Sequence, residues 1–131
     1  MTIKTIPLPR VSLYLAGPIT GNPDYKEQFE AAAKMMRWSG YDAFNPAKTL
    51  PKYTPQTQAR HNRKPYILPE PTWHDWMRAA LAALGRVDGV ALLDGWADST
   101  GARWEERIAR EVLALPVLPV TGWIELGGLL P

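Results

Sequence analysis

The run Val11 to Ala16 (VSLYLA) is short, almost wholly apolar and stopped at once by Gly17-Pro18. That is how a strand buried on both faces reads, because such a strand has no polar side to show. The pattern recurs. Tyr41 to Phe44 (YDAF), Val90 to Asp94 (VALLD) and Pro116 to Val120 (PVLPV) are further strand candidates, the last confined by its prolines to a sheet edge. Between them lie stretches of helical period. Asn22 is positioned to cap a helix with Pro23 in its first turn, Tyr25, Phe29, Ala32, Ala33 and Met36 fall on one face, and Gly40 ends it. Thr72 with Asp75 makes a capping-box start for a helix to Leu84, with Gly85 behind it. A third helix is expected from Gly101 to Leu115. Strands alternating with helices imply right-handed βαβ units and a parallel sheet with helices on both faces.

At 131 residues the chain is expected to be one domain spanning 1–131. Prolines cluster from Pro46 to Pro71 among Lys48, Lys52, Arg60, Arg63 and Lys64, so 46–71 reads as one long basic loop, a functional lid or a surface excursion. Cysteine is absent, which removes disulfides, zinc-thiolate sites and thiol nucleophiles together. His61 and His74 stand apart with no companion cysteine, so neither a metal site nor a cofactor is expected. No apolar run is long enough to span a bilayer, and the start MTIKTIPLPRVSLYLAGP is a poor signal peptide, so the expected location is cytoplasmic. A net charge of +2 argues weakly for nucleic acid, although an anionic small molecule fits it. The six tryptophans are expected mainly in the core, with Trp96 and Trp104 flanking the candidate site.

In open parallel sheets, ligands sit at the carboxyl ends of the strands. One such end is Gly17-Pro18-Ile19-Thr20-Gly21-Asn22, a turn that either serves only to reverse the chain or brings backbone N–H groups to an anion. The other runs from Asp94 to Gly101, where Ser99 or Asp98 caps the next helix or, equally, Ser99, Thr100 and the amides near Gly101 hold a phosphate. Asp94 is placed to bind a sugar. Glu105 is sharper. It falls within the apolar stripe Ala102, Ile108, Ala109, Val112 and Leu115, and a carboxylate facing inward needs a reason. The competing explanations are catalysis and a salt bridge or first-turn dipole contact.

Taken together, Tyr14-Leu15-Ala16-Gly17-Pro18 and Ser99-Thr100-Gly101-Ala102-Arg103-Trp104-Glu105, with Ala109 beyond, resemble the nucleoside 2-deoxyribosyltransferase superfamily. The resemblance runs from about Val11 to Val120. It is closest to small, often phage-encoded deoxyribosyltransferase-like proteins of unassigned function, through the Gly95 to Glu105 arrangement, and to the 2′-deoxynucleoside 5′-phosphate N-hydrolase branch, through Ser-x-Gly before the Glu. It implies an α/β, flavodoxin-like, three-layer fold with a mainly parallel sheet of about five strands, usually in a homo-oligomer. It also implies a nucleoside or nucleotide substrate, cleaved or transferred at the N-glycosidic bond. Glu105 would be the nucleophile and Tyr14 would lie near it or the sugar. Gly17, Ile19, Thr20, Gly21, Ser99 and Gly101 would contact a 5′-phosphate. One departure stands out. Related sequences place an Asp where this chain has Ala80, so Asp75, Asp94 or Asp98 would have to serve instead. Two other readings remain: a non-catalytic nucleotide-binding module, and a nucleic-acid or protein interaction domain using the basic loop. The apolar tail Trp123 to Pro131 is a candidate surface for a neighbouring subunit.

Overall fold

The computed structural model describes residues 9–48 and 72–131. The expected 46–71 loop therefore lies outside the described residues beyond Lys48, and with it His61 and the basic cluster Arg60, Arg63 and Lys64.

Four strands are present among the described residues, where about five were expected. They are β1 (Ser12–Ala16), β2 (Asp42–Phe44), β3 (Gly89–Leu92) and β4 (Val117–Pro119). All pair in parallel, in the order β2-β1-β3-β4. This is the flavodoxin-like order, and it reverses direction at β1, leaving a crevice between β1 and β3 at their carboxyl ends. The helices are α1 (Tyr25–Trp38), α2 (Trp73–Leu84), α3 (Thr100–Arg107) and α4 (Val120–Leu126).

β1 explains the layering. Leu13 and Leu15 point to one side, where they pack with Phe29, Ala33 and Met36 of α1 and Trp123 of α4. Tyr14 and Ala16 point to the other, toward Ala80, Ala83 and Leu84 of α2 and Ala109 beyond α3. Leu13 to Ala16, four of the five β1 residues, are buried, so the strand is covered on both faces, and the result is three layers.

Helix ends follow local chemistry, with two corrections. α2 starts as expected: Thr72 Oγ1 accepts from Asp75 N at 3.2 Å while Asp75 Oδ2 accepts from Thr72 N at 2.8 Å. α1 begins at Asp24 rather than at Asn22. The Asn22 side chain spans the preceding turn: Nδ2 donates to Pro18 O at 3.0 Å and to Gln28 Oε1 at 2.8 Å, while Oδ1 accepts from Asp24 N at 3.2 Å, one residue before the helix starts. The third helix does not run evenly to Leu115. After Arg107 it widens into a π-helical stretch, Ile108–Val112. The wider turn shifts the helix phase, so Ala109 remains buried while Val112 is exposed.

The tail is the other surprise. Trp123 is fully buried in the chain's own core, donating its indole N–H to Val90 O at 2.8 Å and meeting Tyr41 edge-on at 5.5 Å. Among the tryptophans only Trp123 is a core residue; Trp38, Trp73 and Trp104 are exposed. Among the described residues no helix is long and apolar enough to cross a membrane.

Candidate functional site

A cleft of about 560 Å³ opens at the carboxyl ends of β1 and β2 and beside the start of α3. Tyr14, Gly17, Ile19 and Thr20 enter from β1 and its turn, Phe44 and Pro46 from the end of β2. Ser99, Gly101 and Glu105 line the α3 side, with Asp98 and Thr100. The crevice thus falls where the strand order reverses.

Gly17 is held to its identity by packing. A Cβ there would come within 2.9 Å of Leu93 Cβ, so any side chain would push β1 off the chain leaving β3. The turn beyond it is braced internally: Asn22 N bonds Ile19 O at 3.1 Å, and Asn22 Nδ2 reaches Pro18 O. Gln28, which accepts from Asn22, donates to Asp94 O at 2.9 Å. The two turns that flank the crevice are therefore tied to one another through α1.

On α3, Ser99 is the N-cap, its Oγ accepting from Ala102 N at 3.2 Å. Arg103 N bonds Ser99 O at 3.0 Å. First-turn amides have no acceptor within their own helix, so those of Thr100 and Gly101 are left at the cleft, where the positive end of the helix dipole also lies. The cap and the anion-binding readings are thus compatible in geometry, since a capping hydroxyl keeps its own proton to donate.

Glu105 lies one turn further on, 8% exposed, with Oε2 buried and without a hydrogen-bond partner among the described residues. An unsatisfied buried polar atom costs about 1–3 kcal/mol, and more when charged. Burial accordingly pushes the Glu105 carboxyl up to about 7, while hydrogen bonding with the Tyr14 side chain acts in the opposite direction. Tyr14 is 1% exposed, and burial, reinforced by the neighbouring Glu105, keeps its phenol protonated well beyond the usual range. Tyr14 also stacks on Phe44 at 5.6 Å, which fixes its ring from the opposite side. A carboxyl near 7 in a cleft, held by a protonated phenol, is equipped for proton transfer or for attack on an electrophilic carbon.

The structure gathers Tyr14, Gly17, Ile19, Thr20, Ser99, Gly101 and Glu105 around one cleft. It does not bring Asp94 or Gly21 into the lining. Asp94 is exposed and contributes its backbone carbonyl to the Gln28 brace; Gly21 is exposed, with φ of +77°. The opposite wall is formed by Trp73, Trp76, Met77, Ala79 and Ala80 of α2, of which sequence reasoning singles out only Ala80. The signal was there: positions 73, 76, 77 and 80 recur at helical spacing and so share a face. Asp75 serves α2 itself, through the capping box and a 3.3 Å contact to Arg78. No cluster of metal-ligating side chains occurs among the described residues.

A family model described as "Domain of unknown function (DUF4406)" matches residues 11–118. The chain belongs to that family. The match spans β1, β2, β3, all but the last residue of β4, and every described residue of the cleft lining, so the site is part of the family's own domain. No curated protein and no solved structure matches the chain.

Proposed function

We propose that this protein cleaves, or transfers at, the N-glycosidic bond of a (deoxy)nucleoside 5′-monophosphate, with Glu105 as nucleophile. The observation that carries the reading is Glu105 itself: a buried carboxyl with an unpartnered oxygen, opening on a cleft at the sheet's switch point. In its ionised form Glu105 attacks C1′ as the base departs, giving a glycosyl ester that water or a second base then releases. Tyr14 steadies the carboxylate. The amides of Thr100 and Gly101, with Ser99, receive the 5′-phosphate, and the turn from Gly17 to Thr20 closes around it. Hydrolysis is favoured over transfer because the Ser99-Thr100-Gly101 spacing resembles the hydrolase branch.

A chromatographic screen of nucleosides and 5′-monophosphates tests this reading. Free base is expected from at least one nucleotide, reduced about a thousandfold or more in Glu105→Ala, in line with the loss of a catalytic nucleophile. Absence of both base release and base exchange across the screen would overturn it.

A second reading, a non-catalytic nucleotide-binding module, is favoured by one observation. Ala80 lines the cleft at the position where the resemblance leads one to expect an Asp. Tight nucleotide binding in calorimetry with no turnover on long incubation would select it. A homo-oligomer of two or more subunits and a cytoplasmic location accompany either reading, and light scattering on the purified protein checks the first.

A further inference from the structure

The cleft is chemically lopsided. Its α2 wall presents Trp73, Trp76, Met77, Ala79 and Ala80, and Phe44 and Tyr14 add two more rings. Against these stand two acidic residues, Glu105 and Asp98, and no Lys, Arg or His among the described lining residues. Glu105 Oε2 is buried without a hydrogen-bond partner among the described residues. Aromatic faces beside a desolvated carboxylate are what hold a flat organic cation, through the ring quadrupoles and a direct ion pair. The α2 wall also bears on leaving-group chemistry. A neutral base departs as an anion unless it is protonated, and none of those five side chains supplies a proton. A base that is already cationic departs neutral and needs none.

From these features we infer that the preferred substrate is an N-glycoside whose base is permanently cationic, a pyridinium or an N7-alkylpurinium, seated between the Trp73, Trp76 and Phe44 rings and the Glu105 carboxylate. The inference rests on the glycosidic reading above and names its substrate class. The step balances without a general acid. A Glu105 oxygen forms a bond to C1′ while the C1′–N bond breaks, and its electron pair stays on the ring nitrogen, which leaves uncharged. Water then attacks C1′, the C1′–O bond to Glu105 breaks, and the surplus proton goes to solvent.

Two matched pairs of ribonucleotides test it on the full chain. They are 7-methyladenosine 5′-monophosphate against adenosine 5′-monophosphate, and nicotinamide mononucleotide against its reduced dihydropyridine form. Each pair differs in base charge at nearly constant shape, so contributions from phosphate and sugar cancel. In calorimetry at pH 8 the cationic member of at least one pair is expected to bind about tenfold tighter or more, and to release its base faster. Which pair responds distinguishes pyridinium from purinium. In Glu105→Gln the binding preference should collapse to a few-fold at most; Trp73→Leu should weaken both members of a pair, the cationic one more, so that the preference shrinks. Equal affinity within about twofold in both pairs for the wild-type protein would overturn the inference. Base release from neutral nucleotides without charge preference overturns it too, yet leaves the glycosidic reading standing. Cation-selective binding with no base release upholds the cation seat and sinks the glycosidic reading in favour of the binding module. If none of the four nucleotides binds, the cation seat falls, and the glycosidic reading stands or falls on the wider screen.

Discussion

The two faces of the sheet make a contrast that starts within a single strand. On one side, Leu13 and Leu15 meet Phe29, Met36, Tyr41 and Trp123, all fully buried, and the layer is closed. On the other, Tyr14 and Ala16 face Ala80, Ala83 and Ala109, a layer dominated by alanine. Large side chains fill the first face. Small ones leave room on the second, on the side where the cleft and the Glu105 carboxyl lie. Each fully buried large apolar side chain is worth about 1.5–3 kcal/mol, so the closed face supplies most of the packing energy. The open face can then tolerate a buried charge that a uniformly packed protein of this size would not.

The sharpest way to break this comparison is Trp123→Ala. It removes the largest buried side chain and its hydrogen bond to Val90 O, for an expected loss of about 3–5 kcal/mol by urea denaturation. A loss under about 1 kcal/mol would mean that the closed face does not carry the fold.

Glu105→Gln tests the open face. The folded-state carboxyl lies near 7 and its ordinary value is 4.5, so between these the folded protein keeps a proton the unfolded chain has released. Wild-type stability should therefore be highest below 4.5 and fall as pH rises to 7, by on the order of 2–3 kcal/mol, with no such slope in the Gln variant. A flat difference between the two proteins across pH 4.5 to 7 would show that the carboxyl is solvated rather than buried.

Tyr14→Phe should leave stability close to wild type but move the same window upward. Its hydroxyl is the group that lowers the Glu105 value, so the pH midpoint of any base release should shift to the alkaline side. An unchanged midpoint would remove Tyr14 from the site.

The smallest effects separate cap from cradle at Ser99. Ser99→Ala should cost about 1 kcal/mol through the lost cap, whereas Ser99→Asp keeps the cap and should cost only a few tenths. If Ser99 also receives a phosphate, Ser99→Asp should weaken 5′-monophosphate binding much more than it affects the unphosphorylated nucleoside.

Much of this was legible in the chain. Short apolar runs ended by glycine or proline marked the four strands, because a strand buried on both faces has no polar alternation to hide it. Thr72, Asp75 and Gly85 marked both ends of α2, since caps are settled by residues only a few positions apart. Glu105 stood out as a charge in an apolar stripe. What escaped was decided at longer range. α4 (VTGWIEL) is too short, and too burdened by Thr121 and Gly122, to look helical; the burial of Trp123 holds it. Asn22 resembled a cap, but its Oδ1 takes the Asp24 amide just ahead of the helix while its Nδ2 ties Pro18 O to Gln28, and the helix starts behind Asp24. The π-helical slip that puts Val112 in solvent leaves no mark that a fixed 3.6-residue period would detect. The α2 wall faced Glu105 only once the sheet had brought the two helices together.

Gly89 and Trp123 are bound by size. A Cβ at position 89 would fall 2.7 Å from Trp123 Cη2, inside the van der Waals envelope of the indole. The two positions therefore behave as one locus with a shared volume, and a methyl group gained at 89 must be given back at 123. Gly89→Ala alone should misfold or loosen the chain, while Gly89→Ala with Trp123→Leu should recover part of the loss. Among relatives of this chain, any that carries a side chain at the position of Gly89 is expected to have given up its tryptophan.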